Sequence, residues 1–244
     1  MNIKRLIPNL FTMLNLFCGC VALVLVSDLN FEWAFYFVGL GIFFDFFDGF
    51  FARKFNVAGP LGVQLDSLAD MVTSGVVPGY VVYKMLQSTR NPLVMNMDWY
   101  HYCLPFFGFI ITLGACYRLA KFNIDTRQSD SFIGLPTPAN CLFITSLPLV
   151  IMEFYASPLT RILTNEWFLI GLSLLSAFVM NAEIPLFSLK IKNFSFARYK
   201  LQIFFLVLCL ILLIFLQLSS VPLIILVYVL LSVINNLLTK KASE

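Results

Sequence analysis

Charge is scarce in this sequence: Asp, Glu, Lys and Arg make up 12% of 244 residues, against ~25% in a typical soluble domain. That shortage excludes an ordinary water-soluble globular fold. Histidine is scarcer still, with His101 the single example, so a His-based triad or a His-ligated metal centre has nothing to build on. The six cysteines (Cys18, Cys20, Cys103, Cys116, Cys141 and Cys209) lie in apolar stretches without C-x-x-C spacing. That pattern argues for packing rather than for disulfides or zinc. Long polar connections are also missing, which leaves no room for a separate soluble domain. The net charge is only +3. It gives no reason to expect a nucleic-acid partner, because basic residues at a membrane face are explained by topology and anionic headgroups.

What the chain has in abundance is hydrocarbon. Hydrophobic residues form 60% of it, with 27 phenylalanines. Apolar runs near the ~20 residues needed to cross a bilayer recur along its length. The pattern predicts eight spans, at about 8–27, 32–52, 66–87, 100–122, 137–156, 166–187, 200–218 and 221–238. The third is the most polar, since Asp66, Ser67, Asp70, Thr73 and Ser74 fall in its first half. The expectation is an all-α, polytopic helical bundle forming one membrane domain over 1–244. Within it a catalytic core covers about 5–187, and a helical pair follows at about 200–238. With the N-terminus inside, thirteen of the sixteen Lys and Arg fall on one side, leaving Lys84, Arg90 and Arg161 on the other. By the positive-inside rule both termini are then cytoplasmic. The first apolar run is too long for a removed signal peptide and lacks a small-residue cleavage site, so it reads as a permanent span.

Against this background "DFFDGFFARKFNVAGPLGVQLDSLAD", residues 45–70, holds four aspartates. A charged Asp at the centre of a membrane helix costs ~2.5–3.5 kcal/mol on insertion scales, so four would cost on the order of 10 kcal/mol. Asp45 and Asp48 are three residues apart and Asp66 and Asp70 four apart, so each pair shares a helix face. Gly59 and Pro60 lie between the pairs and provide turn material. Two antiparallel helices joined there bring all four carboxylates to one membrane depth. A cluster of that kind needs compensating cations, and an all-oxygen ligand set suits Mg²⁺ or Mn²⁺. Two divalent ions balance four negative charges, and such a pair clamps a pyrophosphate undergoing displacement. Gly49, Ala52 and Gly62 lie beside the acids, where small residues let a ligand approach closely. Arg53 can reach a phosphate with its planar fork. Two other readings are a structural ion pair and a cation or proton pathway. The first does not account for four acids with few cations at their level. The second is weakened because the acidic segment has no inverted repeat in the second half.

The spacing of Asp45, Asp48, Gly49, Ala52, Arg53, Gly62, Asp66 and Asp70 resembles the signature of the CDP-alcohol phosphotransferase family. That signature is D-x-x-D-G-x-x-A-R, eight residues, then G-x-x-x-D-x-x-x-D, and every fixed position matches. The resemblance implies an integral membrane enzyme, commonly a homodimer, that moves a substituted phosphate from a CDP-linked donor to a hydroxyl. It implies that the four aspartates hold two metal ions, that Asp70 is the candidate base, and that Gly49, Ala52 and Arg53 help hold the CDP moiety. "IPNLFTMLN", residues 7–15, places Asn9, Thr12 and Asn15 at three-residue spacing. It is similar to a Pro-Asn-x-x-Thr stretch that the family often carries beside its nucleotide site. The same residues also read as a helix start, with Pro8 in the first turn.

Two later stretches bear on the acceptor. "CYRLAKFN" (116–123) and "FIGLPTPAN" (132–140) resemble segments of one branch of this family, the membrane-embedded phosphatidylserine synthases. The implied reaction transfers a phosphatidyl group from CDP-diacylglycerol to the hydroxyl of L-serine, releasing CMP, at a site facing the cytoplasm. In a bacterium the membrane would be the inner one. Arg118, Lys121 and Asn123 are the candidates for the amino acid's carboxylate or the lipid phosphate. Arg118 and Lys121 also read as markers of the inner membrane boundary. A synthase for another acceptor, glycerol phosphate or inositol, and a non-enzymatic cation transporter are the alternatives.

Overall fold

The computed structural model describes residues 3–89, 99–124, 132–186 and 200–243. Residues 188–199 of the basic loop expected at 188–200, Arg90, Arg127 and the His101 side chain lie outside the described residues. Helix α1 covers Ile3–Ser27 and α2 Phe31–Lys54. They pack through aromatic rings, with Phe11 stacked on Phe51 at 5.3 Å and on Phe47 at 6.0 Å. Because α1 begins at Ile3, Pro8 lies inside the helix rather than in its first turn.

The reversal after α2 is made by Asn56, not by the Gly59-Pro60 pair. Asn56 adopts φ +54°, and its N–H bonds the Arg53 carbonyl at 3.2 Å while Val57 N–H bonds that of Ala52 at 3.0 Å. These paired bonds satisfy carbonyls left open at the helix end. Pro60 then occupies the first turn of α3, Pro60–Asp70, where its missing N–H is not needed.

Immediately after Asp70 the rod widens into a π-helical turn, Met71–Val76, and continues as α4, Val77–Ser88. Pro78 gives the cause. It has no N–H to offer the Ser74 carbonyl, and in an α-helix its ring would collide with that group. The Val77 N–H bonds Val72 O instead. Side chains from two other helices cover neighbouring carbonyls: Cys141 Sγ donates to Thr73 O at 3.3 Å and Thr112 Oγ1 to Gly75 O at 2.9 Å.

Helix α5, Trp99–Cys103, leads through a 3₁₀ stretch, Leu104–Phe109, into α6, Ile110–Ile124. Helices α7, Thr137–Glu153, α8, Pro158–Leu163, and α9, Glu166–Asn181, follow. The short α8 was not foreseen. Ser157 caps it by accepting from Thr160 N, with Pro158 in its first turn. The sixth span was expected to reach residue 187, but its helix stops at Asn181. Two-residue strands β1, Phe132–Ile133, and β2, Pro185–Leu186, then pair antiparallel.

Helix α10, Lys200–Leu216, and α11, Val221–Ser243, are joined by a 3₁₀ turn at Gln217–Ser220. Gln217 takes φ +46°. The Phe205 and Tyr228 rings lie 5.6 Å apart, so the two helices form an antiparallel hairpin, because in one straight helix those residues would be ~34 Å apart.

The structure is thus a helical bundle carrying one small strand pair, and the eight expected apolar helices have counterparts in it. Leu6–Ser27, Phe31–Lys54, Leu104–Ile124 and the hairpin Leu201–Asn236 are long and apolar enough to cross a bilayer. The core is built from Val26, Val38, Val82, Leu86, Ile111 and Ile144, all inaccessible to solvent. Thr12, Asn15, Asp48, Asp70, Thr73 and Ser74 are also buried, so one end of the bundle has a polar interior.

Candidate active site

The polar end forms where α1 starts, α2 ends and α3 starts. Asp45 and Asp48 lie on the last turns of α2 and Asp66 on α3. One carboxylate oxygen from each of these three residues lies within 4.8 Å of the others. The three- and four-residue spacings predicted all four carboxylates together, and three of them converge here. Asp66 Oδ1 is buried and has no hydrogen-bond partner, which is costly unless a cation or donor completes it. Three converging carboxylates, one with an orphaned oxygen, fit a hard divalent cation, whose ligands are oxygens.

Asp70 is not one of these three. It is buried one turn further into the bundle, and Asn15 Nδ2 donates to its Oδ1 at 3.0 Å. Thr12 plays a similar part for Asp48, its hydroxyl donating to Oδ2 at 2.6 Å with the Pro8 carbonyl at 3.2 Å. Both supporting residues come from α1, which explains the polar positions at three-residue spacing there.

A cavity of about 380 Å³ opens beside the carboxylates, within the ~300–1,000 Å³ range of small-molecule sites. Asn9 and Thr12 line it from α1, and Asp48, Gly49, Ala52 and Arg53 from α2. Gly62 and Asp66 close the α3 side. A Cβ on Gly49 would stand 3.3 Å from Arg53 Nη1, so the bare backbone lets that guanidinium lie back over the helix. Nothing lies within 4 Å of a Cβ built on Gly62, which leaves that wall open to a ligand.

The three residues expected for the acceptor lie outside the lining of this cavity. Arg118 is buried, and its guanidinium donates to the backbone carbonyls of Met180 and, at 3.3 Å, Gly134. Gly134 takes φ +74°, and a Cβ there would stand 2.8 Å from Arg118 Nη1. The fork thus joins α6, the β1 segment and the end of α9. Lys121 Nζ is 3.8 Å from Glu183 Oε1. Asn123 exchanges hydrogen bonds with Ser67 at 2.9 and 3.2 Å, so the end of α6 is tied to α3 one residue from Asp66. The sequence missed Asn15 as a partner of Asp70, because 55 residues separate them. It also missed the Ser67–Asn123 pair, for the same reason.

The model of the CDP-alcohol phosphatidyltransferase family matches residues 5–171, a stretch that contains the four aspartates and the whole lining of the cavity. The chain belongs to that family. Its relatives within the CDP-alcohol phosphatidyltransferases include the CDP-diacylglycerol–serine O-phosphatidyltransferase of Bacillus subtilis (strain 168). That protein is 36% identical over 157 residues, covering 63% of this chain and 78% of the relative. The enzyme of the same name from Helicobacter pylori (strain ATCC 700392 / 26695) is 29% identical over 214 residues, 87% of this chain and 82% of the relative. The archaetidylserine synthase of Methanothermobacter thermautotrophicus is 29% identical over 184 residues, 73% of this chain and 69% of the relative.

Proposed function

We propose that this CDP-alcohol phosphatidyltransferase is a CDP-diacylglycerol–serine O-phosphatidyltransferase, making phosphatidylserine and CMP. The observation that carries the reading is the convergence of Asp45, Asp48 and Asp66, the last two lining the cavity, in a chain similar over most of its length to serine phosphatidyltransferases. Asn9, Thr12, Gly49, Ala52, Arg53 and Gly62 surround the CDP moiety, with the Arg53 fork on a phosphate. Asp45, Asp48 and Asp66 hold divalent cations, Mg²⁺ or Mn²⁺, with Asp70 the fourth acidic residue of the set. Two such ions held there would supply positive charge to the pyrophosphate and to the departing CMP.

Asp70 accepts the proton of the serine hydroxyl. That oxygen forms a bond to the phosphorus bearing diacylglycerol, and the bond from this phosphorus to the bridging oxygen breaks, with the electron pair leaving on CMP. A carboxylate is a weak base, so its effect comes from position at a desolvated site. The excess of Lys and Arg on one side supports cytoplasmic termini, eight crossings, and a site open to the inner leaflet of the cytoplasmic membrane. The acyl chains then run along apolar grooves, within a single membrane domain that works as a homodimer.

The acceptor is tested with the purified chain, CDP-diacylglycerol, a divalent metal and one acceptor at a time. CMP is expected with serine. Release only with glycerol phosphate or inositol would move the chain to another synthase class, and metal flux without CMP would make it a transporter.

Arg118, Lys121 and Asn123 form the acceptor side of the site, supported by the bond from Asn123 to the helix of Asp66. Arg118→Lys keeps the charge but cannot span two carbonyls. Losing that brace on the Met180 and Gly134 carbonyls is expected to raise the serine KM roughly tenfold, with the CDP-diacylglycerol KM within about twofold. A rise in the donor KM with serine unchanged would place Arg118 on the lipid phosphate.

A further inference from the structure

We infer that Asn15 is the positioning residue for Asp70, fixing the plane of its carboxylate so that one oxygen meets the acceptor hydroxyl. This rests on the base role given to Asp70 above. Asn15 is wholly buried on α1, and its Nδ2 donates to Asp70 Oδ1 at 3.0 Å. The amide orientation follows from chemistry, because an ionised carboxylate only accepts.

The amide is also clamped. Thr73 Oγ1 donates to the Asn15 backbone carbonyl at 3.0 Å, tying α1 to the π-helical turn that follows Asp70. On the other side α2 presents Gly41, where a Cβ would stand 3.0 Å from both Asn15 Oδ1 and Thr73 Cγ2. Gly19 lets Thr73 in as closely, since a Cβ there would be 2.4 Å from Thr73 Oγ1. Three elements therefore meet around one side chain without slack.

Packing alone does not explain the choice of residue. Asn15 Oδ1 is buried with no hydrogen-bond partner, and an orphaned acceptor in a core is destabilising. Leucine would fill nearly the same space without that cost. The feature that only the amide supplies is the N–H aimed at Asp70. A carboxylate held in one plane arrives at the reacting hydroxyl already oriented, and orientation is worth large factors in rate. With Oδ1 held by Asn15, Oδ2 is the oxygen left for the proton.

The test compares Asn15→Leu and Asn15→Gln in the full-length chain, with CDP-diacylglycerol, serine and Mg²⁺ in detergent micelles. Positioning predicts that Leu lowers kcat roughly 10–100-fold, the effect of losing one bond to a charged group. KM for CDP-diacylglycerol and the half-saturating Mg²⁺ stay within about twofold of wild type. Gln keeps a donor on a longer stem and retains more turnover than Leu. A packing role predicts the reverse order, since Leu fits the space and Gln overfills it. Wild-type kcat in the Leu variant, or Gln falling below Leu, overturns the inference. Should the Leu variant not survive purification, Asn15→Ser replaces it, having a donor too short to reach Asp70. Asp70→Asn is run beside them. Full turnover there removes the base reading itself, whereas an inactive Asp70→Asn with an active Asn15→Leu removes only the role of Asn15.

Discussion

Asp66→Asn is expected to lower CMP release on the order of a thousandfold, with the half-saturating metal concentration rising in step. The substitution keeps the shape of the side chain and removes one negative charge from three carboxylates whose oxygens lie within 4.8 Å of one another. Breaking a buried charge partnership costs ~3–5 kcal/mol, which corresponds to roughly 10²–10⁴ in rate or affinity. Metal titrations of CMP release measure both effects. Asp45→Asn and Asp48→Asn should move in the same direction. Thermal unfolding in the absence of metal should show no loss of stability, because the variants carry less uncompensated charge. Near-normal turnover of Asp66→Asn at saturating metal would falsify the shared-cation account.

Asp70→Asn should fail differently. Its carboxylate stands outside the three-oxygen cluster and is held by Asn15, so the expected loss is in the chemical step. General-base catalysis contributes typically 10²–10⁴-fold, and kcat is expected to fall by about that factor. CDP-diacylglycerol binding is expected to survive, since holding the donor requires no proton transfer. Equilibrium binding of CDP-diacylglycerol to the variant, set against its turnover, separates the two. Donor affinity falling in parallel with rate would make Asp70 chiefly a cation ligand.

These predictions start from features that were visible in the sequence. Long apolar runs marked the helices, and residue spacings of three and four marked the acids that share a face. Local periodicity carries that information, and α1, α2 and the acidic α3 follow from it. What the sequence did not reveal depended on residues distant along the chain or on very short elements. Strands of two residues leave no alternation to read. The Arg118 fork joins carbonyls contributed by residues 134 and 180, whereas the sequence offers only a cation near a membrane boundary. Asn56 turns the chain in place of Gly59 because helix-end carbonyls needed covering, a requirement of geometry rather than composition. Two signals were present but unread: Ser157-Pro158 announces α8, and Pro78 inside a helical stretch announces the widened turn.

That turn has a consequence for how the α3–α4 rod can change. In an unbroken α-helix, Asp70 and Val77 would differ by seven steps of about 100°, putting them on nearly the same side, within about 20°. The one extra residue of a π-helical turn rotates everything after it by about 100°. The acids thus keep one angular phase and the solvent-inaccessible Val77, Val81 and Val82 another, along a single rod. Deleting any one residue between 71 and 76 would bring the two phases back together, setting either carboxylates against hydrocarbon or valines against the cavity. Length in this short stretch is therefore constrained together with the Thr73 side chain that packs on α1, and substitutions on α4 that keep its length leave the phase of the acids unchanged.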